Sequence, residues 1–180
     1  GYATGTNASR TAYADNLVVT AVTGTLLSNY TVNTTHGSLE ITPYTGAVTI
    51  TGNSSTVTYN ANSRSVAGYT ASGLVGDDAS AGTLSGITAA GAVATNAGSY
   101  ANAVSGSNGN YSNLIFVDGV LKINKADLSI TGASSTATYN GQAQTNSAAT
   151  IAGLQGDDQV TVTGYATGTN ASRTAYADNL

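Results

Sequence analysis

The chain has 180 residues, of which only 8% are charged, with a net charge of −4, one His and no Cys, Met or Trp. This inventory removes most catalytic and metal-binding repertoires, and five scattered basic residues argue against nucleic acid or an anionic membrane surface as partner. No run approaches the ~20 apolar residues of a membrane-spanning helix, and the absence of thiols reflects either an export route that avoids them or plain composition bias, both compatible with an extracellular protein that does not rely on disulfides.

Taken from the first residue, the chain opens on GYATGTNASRTAYADNL, and the same seventeen residues return at 164–180, a period of 163. An internal repeat of this fidelity organises the chain. A weaker one lies inside it. Residues 48–78 align without gaps on 128–158, with fifteen of thirty-one positions identical, and NYTVNTTHGSLEIT from Asn29 corresponds to NYSNLIFVDGVLKIN from Asn110. Leu39 and Ile41 then fall on Leu121 and Ile123. The expected organisation is the last part of a repeat domain at 1–43, a complete domain of about eighty residues at 44–125, and the first part of the next at 126–180. Pro43 fixes φ in the first joint, and both joints are too short for flexible tethers.

Within a unit the period-2 pattern prevails. Val57 and Tyr59 alternate with Thr56 and Thr58, and Leu121 and Ile123 with Lys122 and Asn124, as half-buried strands do. The Ala-rich window Ile87–Thr95 has Gly91 at its middle and no cap, so it reads as strand and loop. Gly98-Ser99-Tyr100-Ala101, with counterparts at Tyr13 and Tyr176, resembles a tyrosine corner. Asp118-Gly119 between NLIFV and VLKIN is a hairpin signal, and His36-Gly37 fills the same slot. The fold expected is all-β, made of tandem small antiparallel sandwiches of immunoglobulin-like type, with a β-grasp arrangement as the alternative.

Few residues are candidates for chemistry. Asp77-Asp78 and Asp157-Asp158 are the adjacent carboxylates, and Ca²⁺ is the ion such pairs would take; it needs six to eight oxygens, and too few other carboxylates lie nearby to supply them. The structural reading is a Gly-Asp turn in which the Asp side chain bonds backbone N–H groups two residues on. His36 has only Glu40 beside it and no further ligand for a metal. Ser has no partnered His and acid, which leaves no nucleophile activated, and no cofactor is expected. Lys122 or Lys125 could serve an isopeptide link to an Asn. Six N-x-S/T triplets, at Asn7, Asn29, Asn33, Asn53, Asn110 and Asn170, are glycan acceptors in an exported protein, though composition alone produces many. The recurrence of Tyr59 at Tyr139 and of Tyr111 at Tyr30 favours core anchors over a sugar-binding groove.

Tyr139-Asn140-Gly141, Gly153-Leu154-Gln155-Gly156-Asp157 and the stretch from Asn110-Tyr111 to Gly119-Val120-Leu121-Lys122-Ile123 resemble the signature positions of the MBG and YDG repeat domains of bacterial surface proteins. The likeness departs at Ala61, which stands where Gly141 does, and there it implies a relaxed first turn. What the resemblance implies is a non-enzymatic stalk of a large secreted or outer-membrane-attached adhesin of Gram-negative bacteria, serving aggregation, biofilm or attachment. Its partners would be neighbouring repeats, with homotypic contacts or surface glycans as the alternative. Matching neighbours also invite strand exchange between copies.

Overall fold

The computed structural model describes residues 1–179. In chain order its strands are β1 (Tyr13–Ala14), β2 (Ser38–Leu39), β3 (Val48–Gly52), β4 (Ser55–Thr58), β5 (Arg64–Val66) and β6 (Tyr69–Ser72). After a short helix, α1 (Gly76–Ala81), come β7 (Ile87–Ala89), β8 (Ala92–Ala94), β9 (Gly98–Asn102), β10 (Val104–Gly106), β11 (Leu114–Val117) and β12 (Gly119–Asn124). The last part carries β13 (Ser129–Gly132), β14 (Gln144–Thr145), β15 (Ala149–Ala152) and β16 (Thr167–Gly168). Thr, Val, Ile and Tyr supply the branched and aromatic side chains that suit a pleated surface, and the protein is all-β apart from α1 and one 3-10 turn at Leu27–Asn29. Ile87–Thr95 is strand, loop and strand.

The chain divides into two compact units, and each takes part of the 44–125 stretch. Unit 1 comprises residues 1–54, 67–91 and 101–120; unit 2 comprises 55–66, 92–100 and 121–180. This division differs from the boundaries expected near residues 43 and 125, because the strands of the central stretch are interrupted midway and their halves join different units.

In unit 1, β3 is flanked by β11, parallel to it, and β6, antiparallel, while β7 pairs with β10 and β1 with β2. Alternation along β3 buries Val48, Ile50 and Gly52 and leaves the threonines between them partly exposed. Val48 and Ile50 join Leu84, Ile87, Val104 and Tyr111 in one core, with Tyr69 packed on it. In unit 2, β4, residues 121–124 of β12 and residues 98–100 of β9 belong to one sheet, whose remaining residues fall in unit 1; β5 pairs with β8, β13 with β15 and β14 with β16. Gly119, Leu121 and Ile123 are the buried positions of β12. Leu121, Ile123 and Ala92 make the second core, against which Val57, Tyr59, Val66 and Tyr100 pack. Each fully buried Ile or Leu contributes about 1.5–3 kcal/mol by leaving water.

Two expectations are corrected here. Asp118-Gly119 does not close a hairpin: β11 runs parallel to β3, β12 runs parallel to β4, and neither Asp118 nor Gly119 has positive φ. A purely antiparallel arrangement therefore does not hold. Gly119 is needed for proximity instead, since a Cβ there would sit 2.2 Å from the carbonyl oxygen of Asn53 and 2.5 Å from that of Gly52. Ala61, in turn, does not relax its turn. It adopts φ 63°, Gly141 adopts 75°, and in both copies the preceding Asn accepts a backbone N–H two residues on, at 3.2 Å for Asn60 and 3.0 Å for Asn140. A left-handed L-residue costs about 1–2 kcal/mol. Ala61→Gly is accordingly expected to stabilise the protein by about 0.5–1 kcal/mol, after glycine's larger unfolded-chain entropy is subtracted; urea denaturation measures it.

Candidate functional site

The most elaborate polar arrangement is built around Asn102, the one buried polar side chain among the described residues, at 0% exposure. Asn102 is the last residue of β9, and the ladders of unit 1 break near it after Gly52, before Tyr69 and after Ala89. Broken ladders leave backbone groups that must find partners. Asn102 provides three: its Oδ1 accepts the Gly91 N–H at 2.9 Å, and its Nδ2 donates to the carbonyls of Asn53 at 3.0 Å and Gly68 at 2.9 Å. Around it, Asn53 Nδ2 donates to Ala67 O at 2.9 Å, Asp118 Oδ1 accepts the Val104 N–H at 2.9 Å, and Ser54 Oγ accepts the Val120 N–H at 3.0 Å.

The same device recurs. Asn102 ends a Tyr-Ala-Asn triplet, and Tyr13-Ala14-Asp15 and Tyr176-Ala177-Asp178 occupy the corresponding places. Asp15 Oδ1 accepts the Ala3 N–H, and Asp178 Oδ1 accepts the Ala166 N–H at 2.7 Å. In each triplet the tyrosine hydroxyl donates backward to a main-chain carbonyl, from Tyr13 to Asn7 at 2.9 Å, from Tyr100 to Asn96 at 3.0 Å and from Tyr176 to Asn170 at 3.1 Å. The tyrosine-corner reading thus has its backward hydrogen bond, with rings that are half-buried or exposed. Asn102 was missed by motif reading because an Asn in an Asn-rich chain carries no signal alone; the thrice-repeated Tyr-Ala-Asx triplet is the signal that finds it.

His36 occupies the Asp118 slot in a fuller sense than turn formation. Its Nδ1 accepts the Leu17 N–H at 3.4 Å, as Asp118 accepts the Val104 N–H, and next to it Asp15 Oδ2 accepts the Gly37 N–H at 3.0 Å. One copy therefore pairs Asp15 with His36 and the other pairs Asn102 with Asp118, so each junction holds one carboxylate. His36→Asp alone is expected to gain nothing, because it sets two carboxylates side by side. Combined with Asp15→Asn it is expected to stabilise by about 1 kcal/mol, a coupling that a double-mutant cycle in urea reads directly.

Asp77 and Asp78 stand in the first turn of α1, where acidic side chains favour the helix N-terminus, and Gly82 closes the helix in the left-handed conformation. The expected simple turn is found only at Asp157-Asp158, where the Asp158 N–H bonds Gln155 O at 3.1 Å. Ala79-Ser80-Ala81 extends the first copy into a helix, whereas Gln159-Val160-Thr161 favours extended chain. The second Asp of each pair accepts from tyrosine instead of from the backbone: Tyr111 Oη donates to Asp78 Oδ2 at 2.8 Å and Tyr59 Oη to Asp158 Oδ2 at 2.9 Å. No group of three or more His, Cys, Asp or Glu is placed to hold a metal ion among the described residues.

Tyr111 is a core anchor at 5% exposure, and its oxygen also accepts the Val75 N–H at 3.2 Å. Burial raises its pKa above 10.0, the Val75 hydrogen bond opposes the rise, and the bond to Asp78 with that carboxylate's charge adds to it. The hydrogen bond to Asp158, then lost hydration, then the Asp158 charge raise Tyr59 in the same direction. A tyrosine whose folded pKa lies above its unfolded value contributes stability that is complete below about pH 10 and lost as pH rises through the folded value. Tyr111→Phe is expected to lower stability by about 1–2 kcal/mol at pH 8 and to show a shallower alkaline loss than the parent; denaturant midpoints across pH 8 to 12 test both. The counterparts Tyr30 and Tyr139 are 66% and 61% exposed, so the core-anchor reading applies to the central copy only.

Lys122 and Lys125 are exposed. Of the glycan-acceptor triplets, Asn53 and Asn110 already donate their side-chain amides, the latter to Asn7 Oδ1 at 2.9 Å, while Asn7, Asn29, Asn33 and Asn170 are exposed. No protein-family model, curated protein or solved structure matches the chain.

Proposed function

We propose that the chain is a non-catalytic structural repeat of a bacterial surface adhesin, a spacer in the stalk that carries adhesive regions, of the kind the resemblance to MBG and YDG domains implies. The observation that carries this reading is the Tyr-Ala-Asx junction, made three times from equivalent residues in one chain. A catalytic site is single and gathers unlike groups, whereas architecture repeats the same group at a fixed period. The covalent path supports the same reading. The chain passes between unit 1 and unit 2 at 54/55, 66/67, 91/92, 100/101 and 120/121, so the two units share five chain connections and not one linker. Small β-sandwiches are the architecture we assign to the units, and cell-surface display outside the bacterium is the setting in which such a spacer acts. Single-molecule pulling combined with a glycan array tests the proposal. A chain that resists extension until both cores give way and binds no glycan supports a spacer; selective binding to one glycan class would replace it with a binding module.

A further inference from the structure

The sequence repeat that ends at Pro43 carries a loop whose shape its own residues fix. Tyr13 Oη donates to Asn7 O at 2.9 Å, Ser9 Oγ donates to Thr11 O at 2.6 Å and accepts the Thr11 N–H at 3.2 Å, and the Ser9 N–H reaches Ile41 O at 3.0 Å. The identical residues at 170–176 repeat the first three bonds, at 3.1, 2.6 and 3.2 Å, so the loop is a property of its sequence. It offers one acceptor, Asn7 Oδ1, beside one donor, the Ala8 N–H. Asn110, in the following repeat, holds the complementary pair: its Oδ1 accepts the Ala8 N–H at 2.7 Å and its Nδ2 donates to Asn7 Oδ1 at 2.9 Å. The main chain of Asn110 is tied to the joint as well. Its carbonyl accepts the Tyr44 N–H at 2.8 Å, the Ser112 N–H donates to Tyr44 O at 3.0 Å, and the Tyr44 ring meets that of Tyr111 edge to face at 5.9 Å. All of these residues up to Ser112 belong to unit 1.

We propose that the loop Asn7–Thr11 is a docking surface for the following repeat and that Asn110 is the latch seated on it, the residue that sets the angle at the Pro43-Tyr44 joint. The inference rests on the spacer reading, for which it supplies the part that resists bending. Pro43 restricts one torsion of the joint and leaves the others free, so a bend must be opposed by contacts made across it. A two-point amide contact suits that task because hydrogen bonds weaken steeply as donor and acceptor lose alignment, and one rotation of the repeat misaligns both. The bond between the two asparagine side chains is exposed and adds little to folding. Its effect is on which orientation of the two repeats is populated.

Ser38→Cys and Ser80→Cys, one in each repeat and both exposed, take spin labels in a chain with no other thiol, and pulsed dipolar spectroscopy reads the distribution of distances between them. The otherwise unchanged chain is expected to give one narrow distribution. Asn110→Asp keeps an acceptor for Ala8 but sets a carboxylate against Asn7 Oδ1, and is expected to broaden it. Asn7→Asp is equally isosteric and adds the same charge, yet it leaves Asn110 Nδ2 donating to a carboxylate, and the distribution is expected to stay narrow. Amide exchange checks the bond itself. Asn110→Ala is expected to speed exchange of the Ala8 N–H about five- to tenfold, while the Ser9 N–H, held by Ile41 O, keeps its rate. A starting distribution already as broad as that of Asn110→Asp, equal widths for the two aspartate variants, or an Ala8 N–H indifferent to Asn110→Ala would each overturn the latch. Selective glycan binding by the chain would instead overturn the spacer reading and leave these distances as they are, so the two fail separately.

Discussion

Asn102→Asp is expected to bring the protein close to unfolding at neutral pH. The change is isosteric, so no cavity forms and no packing is lost, and the effect isolates electrostatics. A carboxylate at this position still accepts the Gly91 N–H, but it faces the Asn53 and Gly68 carbonyl oxygens at 3.0 and 2.9 Å with no proton to give them. With the side chain fully buried, an uncompensated charge of this kind costs about 3–5 kcal/mol, a large share of the 5–15 kcal/mol typical of a folded domain. Protonation restores one of the two lost bonds, so the introduced carboxyl ionises less readily folded than unfolded. Its penalty is then smallest below the unfolded pKa and grows as pH rises through the folded one. Urea unfolding at pH 4 and pH 7 is expected to show the variant recovering at the lower pH relative to the parent. Asn102→Ala, which strands the Gly91 N–H and the Asn53 carbonyl without adding a charge while the Gly68 carbonyl keeps the Asn53 N–H at 3.0 Å, is expected to cost about 3 kcal/mol with little pH dependence. An aspartate variant as stable as the parent at pH 7 would mean that the junction is not held by this amide.

The strand content of the chain was legible because alternation is a local property. Val57 and Tyr59, or Leu121 and Ile123, declare a half-buried strand without reference to anything distant, and the glycine in Ile87–Thr95 is enough to deny a helix. Partnership was not legible. Asp118-Gly119 has the composition of a hairpin turn, yet a glycine chosen for positive φ and a glycine chosen for close backbone approach are the same letter, and only the parallel pairing of β11 with β3 and β12 with β4 shows which applies. Strands broken beside Gly52, Gly91 and Gly119 likewise look like elements separated by turns. The Asp pairs were correctly seen to recur, but their tyrosine partners lie 33 and 99 residues away, beyond any spacing argument. Ala61 shows the opposite limit, because a residue with no left-handed preference is held there by a turn whose Asn60 bond resists relaxation.

Gly119→Ala is the backbone counterpart of the Asn102 experiment, and its expected effect is of similar size. The new methyl carbon would lie 2.2 Å from Asn53 O and 2.5 Å from Gly52 O, distances that no rotamer can relieve because a methyl has none. Both obstructing atoms are main chain, and the Asn53 carbonyl is held by Asn102 Nδ2. Relief therefore requires moving β12 away from that carbonyl or breaking the Asn102 bond, and either choice disturbs the burial of Leu121 two residues on. The expected loss is about 3 kcal/mol or more. Gly109→Ala supplies the comparison: nothing lies within 4 Å of its added Cβ and its φ is not positive, so it is expected to be neutral or to stabilise by up to about 1 kcal/mol through the unfolded chain. If steric approach is the reason for Gly119, Gly119→Ala combined with Asn102→Ala costs less than the two losses added, because the second change frees the carbonyl that the methyl strikes. Strict additivity in denaturant midpoints would instead place the two residues in independent roles.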